Sequence, residues 1–401
     1  MNTTVLDFPL LDPTVRSNPY PMYAQMRQEA PVYLSKYREM AGFPWILTRY
    51  EDCIMVLNDP RFTKERAKVD PNSDFSNSAT AAINRHMLTL DPPDHTRLRG
   101  LVHKAFTPAM VNALSTRIQE IADTLIAEMQ NSNATDLVQA YAFPLPVTVI
   151  AELLGVPVSD RENFRRWSQA IINVSNGSVS PEEAAVAALE FIMYFHGMFD
   201  ERRAHPGEDL ISKLLEAEET GDKLDTQELM SMVFILLVAG HETTVNLIAN
   251  GTLTLFRFPN ELARLREDPS LIKSAVEEML RYEGPVSSST LRWPLDDFEL
   301  HGVKIPKGDL VVASLAAADR DPAVFDDPDT FNITRTPNRH IAFGNGIHYC
   351  LGAPLARLEG AIAINTLLKR LPKLALDADP ENLEWAPSLL LRSLKQLPIR
   401  Y

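Results

Sequence analysis

The sequence predicts a mainly α-helical protein with a minor β-sheet region. Three observations carry that expectation. Apolar residues recur at helical spacing over much of the chain. Extended segments are few and short. One pattern, Gln227–Phe256, is apolar nearly all round in its middle, so it should run through the core.

In chain order, Pro19–Ala30 reads as an early helix. Trp45–Thr48 reads as a strand closed by a turn at Arg49–Asp52, and Val32–Leu34 is its pairing candidate. Pro108–Gln130 sets Met110, Leu114, Ile118, Ile121, Leu125 and Met129 at helical spacing. Pro181–Arg203 is a helix that starts on a proline, which suits the first helical position. After the long central pattern, Pro269–Tyr282 is a helix with a charged pair near its end. Phe298–Ile305 and Asp309–Ala313 read as extended, with Pro306–Lys307–Gly308 turning between them. Asp321–Tyr349 is long and irregular, and loops of that length are usually functional or disordered. A helix, Leu351–Arg370, follows at once. With no repeat, low-complexity tract or linker, residues 1–401 read as one domain.

Composition excludes several function classes. Acidic residues outnumber basic ones 53 to 39, a net charge of -14, with no basic run, so nucleic acid is an unsuited partner. The start lacks the basic and apolar blocks of a secretory signal. The longest apolar run, Met232–Ala239, falls far short of a membrane span. A cytoplasmic protein is expected. The two cysteines, Cys53 and Cys350, are too few for a disulfide framework, an iron–sulfur cluster or a four-cysteine zinc site.

Cys350 sits in Phe343-Gly-Asn-Gly-Ile-His-Tyr-Cys-Leu-Gly352, ahead of a helix. A helix N-terminus stabilises a thiolate through backbone N–H groups and the helix dipole. A lone cysteine beside a flexible turn is more often structural, but this one has richer company. A second cluster, Ala239-Gly240-His241-Glu242-Thr243-Thr244, interrupts the apolar helix, and buried polar residues are costly unless paired. His241–Glu242 opens like a zinc-protease motif, but that motif needs a histidine where Val245 stands. Glu278 and Arg281 share one helix face.

Together these segments resemble the cytochrome P450 family, most of all its bacterial members without a membrane anchor. The loop matches Phe-x-x-Gly-x-x-x-Cys-x-Gly at every defined position, and the motifs fall in family order along nearly the whole chain. The resemblance implies haem b as cofactor, with Cys350 as axial thiolate and metal ligand. It places Phe343 and Gly344 beside the sulfur. It gives Gly240 the task of opening the helix locally beside bound oxygen. Thr243 would hydrogen-bond dioxygen, and Glu242 would relay protons. No chemistry falls to His241. Glu278, Arg281 and Arg335 would form the ion-pair network that supports the proximal haem face. His95, Arg99, Arg292 and His348 would hold the haem propionates, while Arg97, on the other face of its helix, should be solvent-exposed.

The family's pocket segments map onto Met87–Leu88, Ile171–Val174, Phe234–Val238, Val286–Leu291 and Leu389–Leu391. Met87, Leu88, Ile171, Val174, Phe234, Val238, Val286 and Leu390 are apolar, which implies a hydrophobic or amphipathic substrate. Ser287, Ser288 and Ser289 would bind one polar group or merely satisfy backbone. The reaction implied is monooxygenation by O2, with electrons from a ferredoxin or similar protein. His103, Lys104, Arg339 and Arg357 are candidate docking cations, and a monomer is expected. A peroxygenase would carry arginine where Glu242–Thr243 stands, and a non-catalytic haem protein would have lost that pair.

Overall fold

The computed structural model describes residues 7–36, 44–71, 83, 85–132, 135–173, 179–217 and 223–401. Helices dominate, and the strands are two or three residues long. The described residues fall into two compact units. One comprises Met1–Ser73, Asn246–Ala353 and Leu371–Tyr401; the other comprises Asp74–Val245 and Pro354–Arg370.

The first unit holds the sheets. Val32–Leu34 pairs antiparallel with Trp45–Leu47, which pairs parallel with Val311–Ala313. All three strands are β-branched, aromatic or aliphatic, the types that suit a pleated, buried surface. Side chains alternate across the sheet. Trp45, Leu47, Val311 and Ala313 pack with Cys53, Val56 and Leu57 of the helix Tyr50–Asn58. Tyr33, Ile46 and Val312 pack on the other side with Tyr20, Tyr23 and Met26 of the helix Tyr20–Glu29. A one-residue slip would swap the two sets, so apolar burial on both faces pins the register.

The second unit is helical. The helix Pro181–Ala204 opens in a capping box: the Glu183 amide donates to Ser180 Oγ at 3.2 Å, and the Ser180 amide donates to the Glu183 carboxylate at 3.1 Å. Phe191 and Phe195 of this helix pack with Phe164 of the helix Arg161–Asn173. The helix Thr226–Arg257 starts in a similar box, with the Glu228 amide on Asp225 at 2.7 Å. At 32 residues it is about 48 Å long. Among the described residues it alone is long and apolar enough to cross a membrane, but much of that stretch is buried inside the protein.

Several elements differ from the sequence expectation. Pro108–Gln130 is not one helix. Pro108–Ala113 ends in a tight bond from the Leu114 amide to the Val111 carbonyl, and Ser115–Ser132 starts afresh. Phe298–Ile305 is not one extended run but a hairpin, Phe298–Leu300 with Val303–Ile305. Its corner, His301–Gly302, has φ of 52° and 77°, the positive pair that a tight hairpin turn demands. Arg49–Asp52 does not merely close a strand. It leads into the helix Tyr50–Asn58, whose first amide donates to Asp321 at 2.9 Å. Pro269–Leu271 is a 3-10 turn ahead of the helix Ile272–Glu283. The helix after Cys350 starts at Ala353, two residues later than expected.

Candidate active site

In the first unit the two cysteines have opposite surroundings. Cys53 is fully buried, its thiol directed at the Leu47 and Ser314 carbonyls, and burial raises its pKa well above the ordinary value. Cys350 is exposed. Its amide donates to the Phe343 carbonyl at 2.9 Å, closing the loop on itself. Gly344 and Gly346 lie at φ of 74° and 73°. A side chain at Gly346 would also collide with Asn58. Beside the thiol, Ile347 and Tyr349 are 50% and 38% exposed. Apolar side chains left uncovered around a reachable sulfur make a surface that a large, flat, apolar group would cover.

The ion-pair residues come together. Arg281 donates from Nε and Nη2 to the two Glu278 oxygens at 2.7 and 2.8 Å, with both side chains wholly buried. Arg335 Nε donates to Glu278 at 3.1 Å. The remaining guanidinium donors reach backbone: Arg281 on Asp319, Pro328 and Thr330, Arg335 on Asp326, Asp327 and Thr330. Asn338 Nδ2 also donates to Glu278, at 3.1 Å. Asp319, whose carbonyl Arg281 holds, accepts the Ile341 amide on its carboxylate at 2.7 Å. The network therefore reaches the segment leading into Phe343. Asp319 was not singled out by sequence; a lone aspartate in an Ala-rich stretch gives no signal.

Arg292 is buried, exchanges both backbone hydrogen bonds with Val311, and donates from Nη1 to the Thr290 carbonyl at 3.0 Å. His348 is half-buried in the short 3-10 turn Gly346–His348. The serines are buried. Ser289 Oγ accepts the Ala313 amide at 3.0 Å and donates to the Thr290 carbonyl at 3.1 Å, so of the two expected roles it serves backbone. Val286 bridges Leu391; Val286 is half-buried and Leu390 exposed.

In the second unit the helix Thr226–Arg257 runs unbroken through Gly240. Ala239 and Gly240 are exposed in an otherwise buried stretch, and a side chain at Gly240 would meet nothing within 4 Å. Thr243 Oγ1 donates back to the Ala239 carbonyl at 2.7 Å. Glu242 is pushed up to about 7 by burial, so it can hold or release a proton near neutrality. His241 is buried against Phe143, with ring centroids 4.6 Å apart, and burial pushes it down to about 3. It stays neutral.

His95 is buried and Arg99 half-buried on the helix Asp94–Ala105. Arg97 corrects the expectation of a solvated cation: it pairs with Glu228, and its side chain is 29% exposed against 10% for the acid. Its side of the helix meets the start of the long helix rather than water. Met87, Leu88, Ile171 and Val238 are half-buried. Phe234 is half-buried too, its ring edge on Phe191 at 6.0 Å. Val174 lies outside the described residues. Sequence reading also passed over Glu359, a 2% exposed carboxyl on the helix Ala353–Arg370, because one acid among apolar residues looks like an ordinary surface position.

The donor set of the first unit fits a haem with a sulfur ligand: one reachable thiol, with uncovered apolar side chains in the same loop. The family profile "Cytochrome P450" matches residues 182–397. The chain is 47% identical to the cytochrome P450 monooxygenase PikC of Streptomyces venezuelae, over 99% of this chain and 94% of that protein. It is 43% identical to the polyketide biosynthesis cytochrome P450 PksS of Bacillus subtilis, over 95% of each. The solved structure of PksS matches with a TM-score of 0.91, covering 98% of this chain and 99% of that one. P450BioI, solved with an acyl carrier protein bearing hexadec-9Z-enoic acid, matches at 39% identity with a TM-score of 0.87, over 96% and 99%. The chain belongs to the cytochrome P450 family. It is a haem-thiolate monooxygenase.

Proposed function

We propose that Cys350 is the haem ligand and that this enzyme inserts one oxygen atom from O2 into a hydrophobic or amphipathic small molecule. The carrying observation is the contrast between Cys350, exposed at the end of a glycine loop, and Cys53, sealed in the core. When bound, the haem supplies the centre at which dioxygen is reductively activated, the thiolate favouring O–O cleavage. Phe343 and Gly344 shape the loop that presents the sulfur. Glu278, Arg281 and Arg335 lock the chain leading into it. His95, Arg99, Arg292 and His348 hold the propionates, arginine's fork suiting a carboxylate.

Each turnover consumes two electrons and two protons and releases one water. Glu242 moves protons inward from solvent, its shift towards neutrality matching that task. Thr243 turns its hydroxyl from the Ala239 carbonyl to orient them. Met87, Leu88, Ile171, Val174, Phe234, Val238, Val286 and Leu390 supply apolar contact to substrate. PikC and PksS are named for monooxygenase and polyketide chemistry, which supports a polyketide-like or similarly lipophilic substrate. The protein works in the cytoplasm and takes electrons from a ferredoxin-like partner. Lys104, Arg339 and Arg357 form the docking cations. His103 adds least, because burial and Arg99 hold it below the ordinary imidazole range.

The test is turnover with a surrogate ferredoxin chain, on compounds chosen by the spin shift they cause on binding. Oxygen-dependent, singly oxygenated product is expected. Turnover with hydrogen peroxide alone would contradict monooxygenation, and a spin shift only from compact polar compounds would contradict the pocket.

A further inference from the structure

The hairpin 384–395, in the first unit, carries Leu389–Leu391 at its tip. Its base is tied across the strands: the Ala386 amide donates to the Ser393 carbonyl and the Lys395 amide to the Glu384 carbonyl, each at 2.9 Å. Trp385, Ala386 and Leu394 at the base are buried, whereas Leu390 at the tip is 38% exposed. Beyond the base the tip has no ladder across the hairpin, so its backbone groups need other partners.

Three consecutive carbonyls there are held by three different elements. The Ser287 amide donates to the Leu390 carbonyl at 2.8 Å. Arg16 Nη2 donates to the Leu391 carbonyl at 3.1 Å. Asn250 Nδ2, on the long helix, donates to the Arg392 carbonyl at 2.8 Å. Only the middle bond comes from a charged side chain. Arg16 lies on the five-residue helix Pro13–Ser17 and is 1% exposed. Its Nε and Nη1 meet no partner among the described residues. A guanidinium taken out of water for one carbonyl is a poor device for stability, because its desolvation costs more than one bond returns. What it does achieve is to fix that carbonyl.

The helix that carries Arg16 is held in turn by the hairpin. Arg392, next after Leu391, donates from Nη1 to the Arg16 carbonyl and from Nη2 to the Ser17 carbonyl, the latter at 3.1 Å. Its Nε donates to Glu283 at 2.7 Å, and Glu283 also accepts the Tyr20 hydroxyl at 2.8 Å. Each segment thus grips the backbone of the other with an arginine. Arg392 keeps its own anchors when the Arg16 side chain is removed, so that removal frees the Leu391 carbonyl and leaves the short helix in place.

We propose that Arg16 is a positioning residue for substrate selectivity, fixing the turn Leu389–Leu391 at the pocket by holding the Leu391 carbonyl. The inference rests on the assignment of that turn to the pocket given above. It gives Arg16 no contact with substrate or haem.

The test uses the haem-loaded protein and two probes that bind the iron through the same kind of ring nitrogen, imidazole and 4-phenylimidazole, each titrated by its Soret shift. Imidazole reads the iron, and the added phenyl group reads the pocket wall. Arg16→Met has no donor and Arg16→Gln is too short to reach Leu391. Both should bind 4-phenylimidazole about fivefold more weakly, the factor that one hydrogen bond carries, and imidazole as wild type does. Arg16→Lys keeps a donor at that reach and should restore the wild-type ratio. Leu390→Ala should weaken 4-phenylimidazole alone, as the Arg16 variants do. If Arg16→Met does not retain haem, Arg16→Gln decides. A lowered melting temperature with an unchanged ratio would make Arg16 merely structural and overturn the inference, as would equal weakening of both probes. A ratio unmoved in Leu390→Ala would overturn the assignment of the turn to the pocket, and the inference with it.

Discussion

Glu242 illustrates how burial tunes one side chain. No cation among the described residues lowers the pKa of its carboxyl, and desolvation moves it from 4.5 to about 7. A proton donor must be protonated to act, so turnover should fall as pH rises through about 7. Glu242→Gln should keep its haem, lose that alkaline limb, and make product about a hundredfold more slowly. The rate of product formation, measured from acid to alkaline pH, checks both statements, and an unchanged profile would remove Glu242 from the relay. Glu278 and Arg281 show the opposite case, two buried charges tolerated because each satisfies the other while Arg335, Asn338 and backbone carbonyls take up the remaining bonds. Arg281→Leu removes the paired guanidinium and leaves Glu278 in the interior with only Arg335, Asn338 and the Asn332 amide, at a cost of about 3–5 kcal/mol. The expected result is a lower melting temperature and protein that elutes without haem. Normal haem content would limit the network to ordinary packing.

At the scale of elements, the helix Asp94–Ala105 has two working faces. One carries His95 and Arg99, and the other carries Arg97 against Glu228. Arg97→Ala should lower stability by about 1 kcal/mol while leaving haem content intact. Haem loss in that variant would make Arg97 a propionate anchor instead. Glu359 couples its helix to pH. Below 4.5 the folded and unfolded chains both hold its proton; between 4.5 and about 8 only the folded chain does. Stability from this group therefore falls as pH rises across that window. Denaturation midpoints at pH 5 and pH 8 should differ more in wild type than in Glu359→Gln, and equal differences would contradict its burial as a neutral acid. The elements most legible in the sequence were those with unmistakable periodicity: the long helix, the capped helix Pro181–Ala204, and the three short apolar strands. The cysteine loop and the Glu278–Arg281 spacing were equally plain, because each is local. Less legible were features that depend on a distant partner. Nothing local says that Arg97 meets Glu228, that Asp319 ties Arg281 to Ile341, or that Glu359 is buried. The break at Leu114 was hidden too, since its apolar spacing continues across the break.

For the whole molecule, charge sets the terms of partnership. A chain at -14 repels acidic proteins except where cations gather. Electron transfer from an acidic ferredoxin should slow as salt rises, and Arg339→Glu should weaken that dependence. Rates indifferent to ionic strength would exclude docking through these cations. The central claim, however, concerns one atom, the sulfur of Cys350. The most direct measurement is the carbon monoxide difference spectrum of the reduced protein, taken beside Cys350→Ala and Cys53→Ala. The account predicts the strongly red-shifted Soret band of a thiolate-bound haem in wild type and Cys53→Ala, and its loss in Cys350→Ala. A red-shifted band that survives in Cys350→Ala would contradict it.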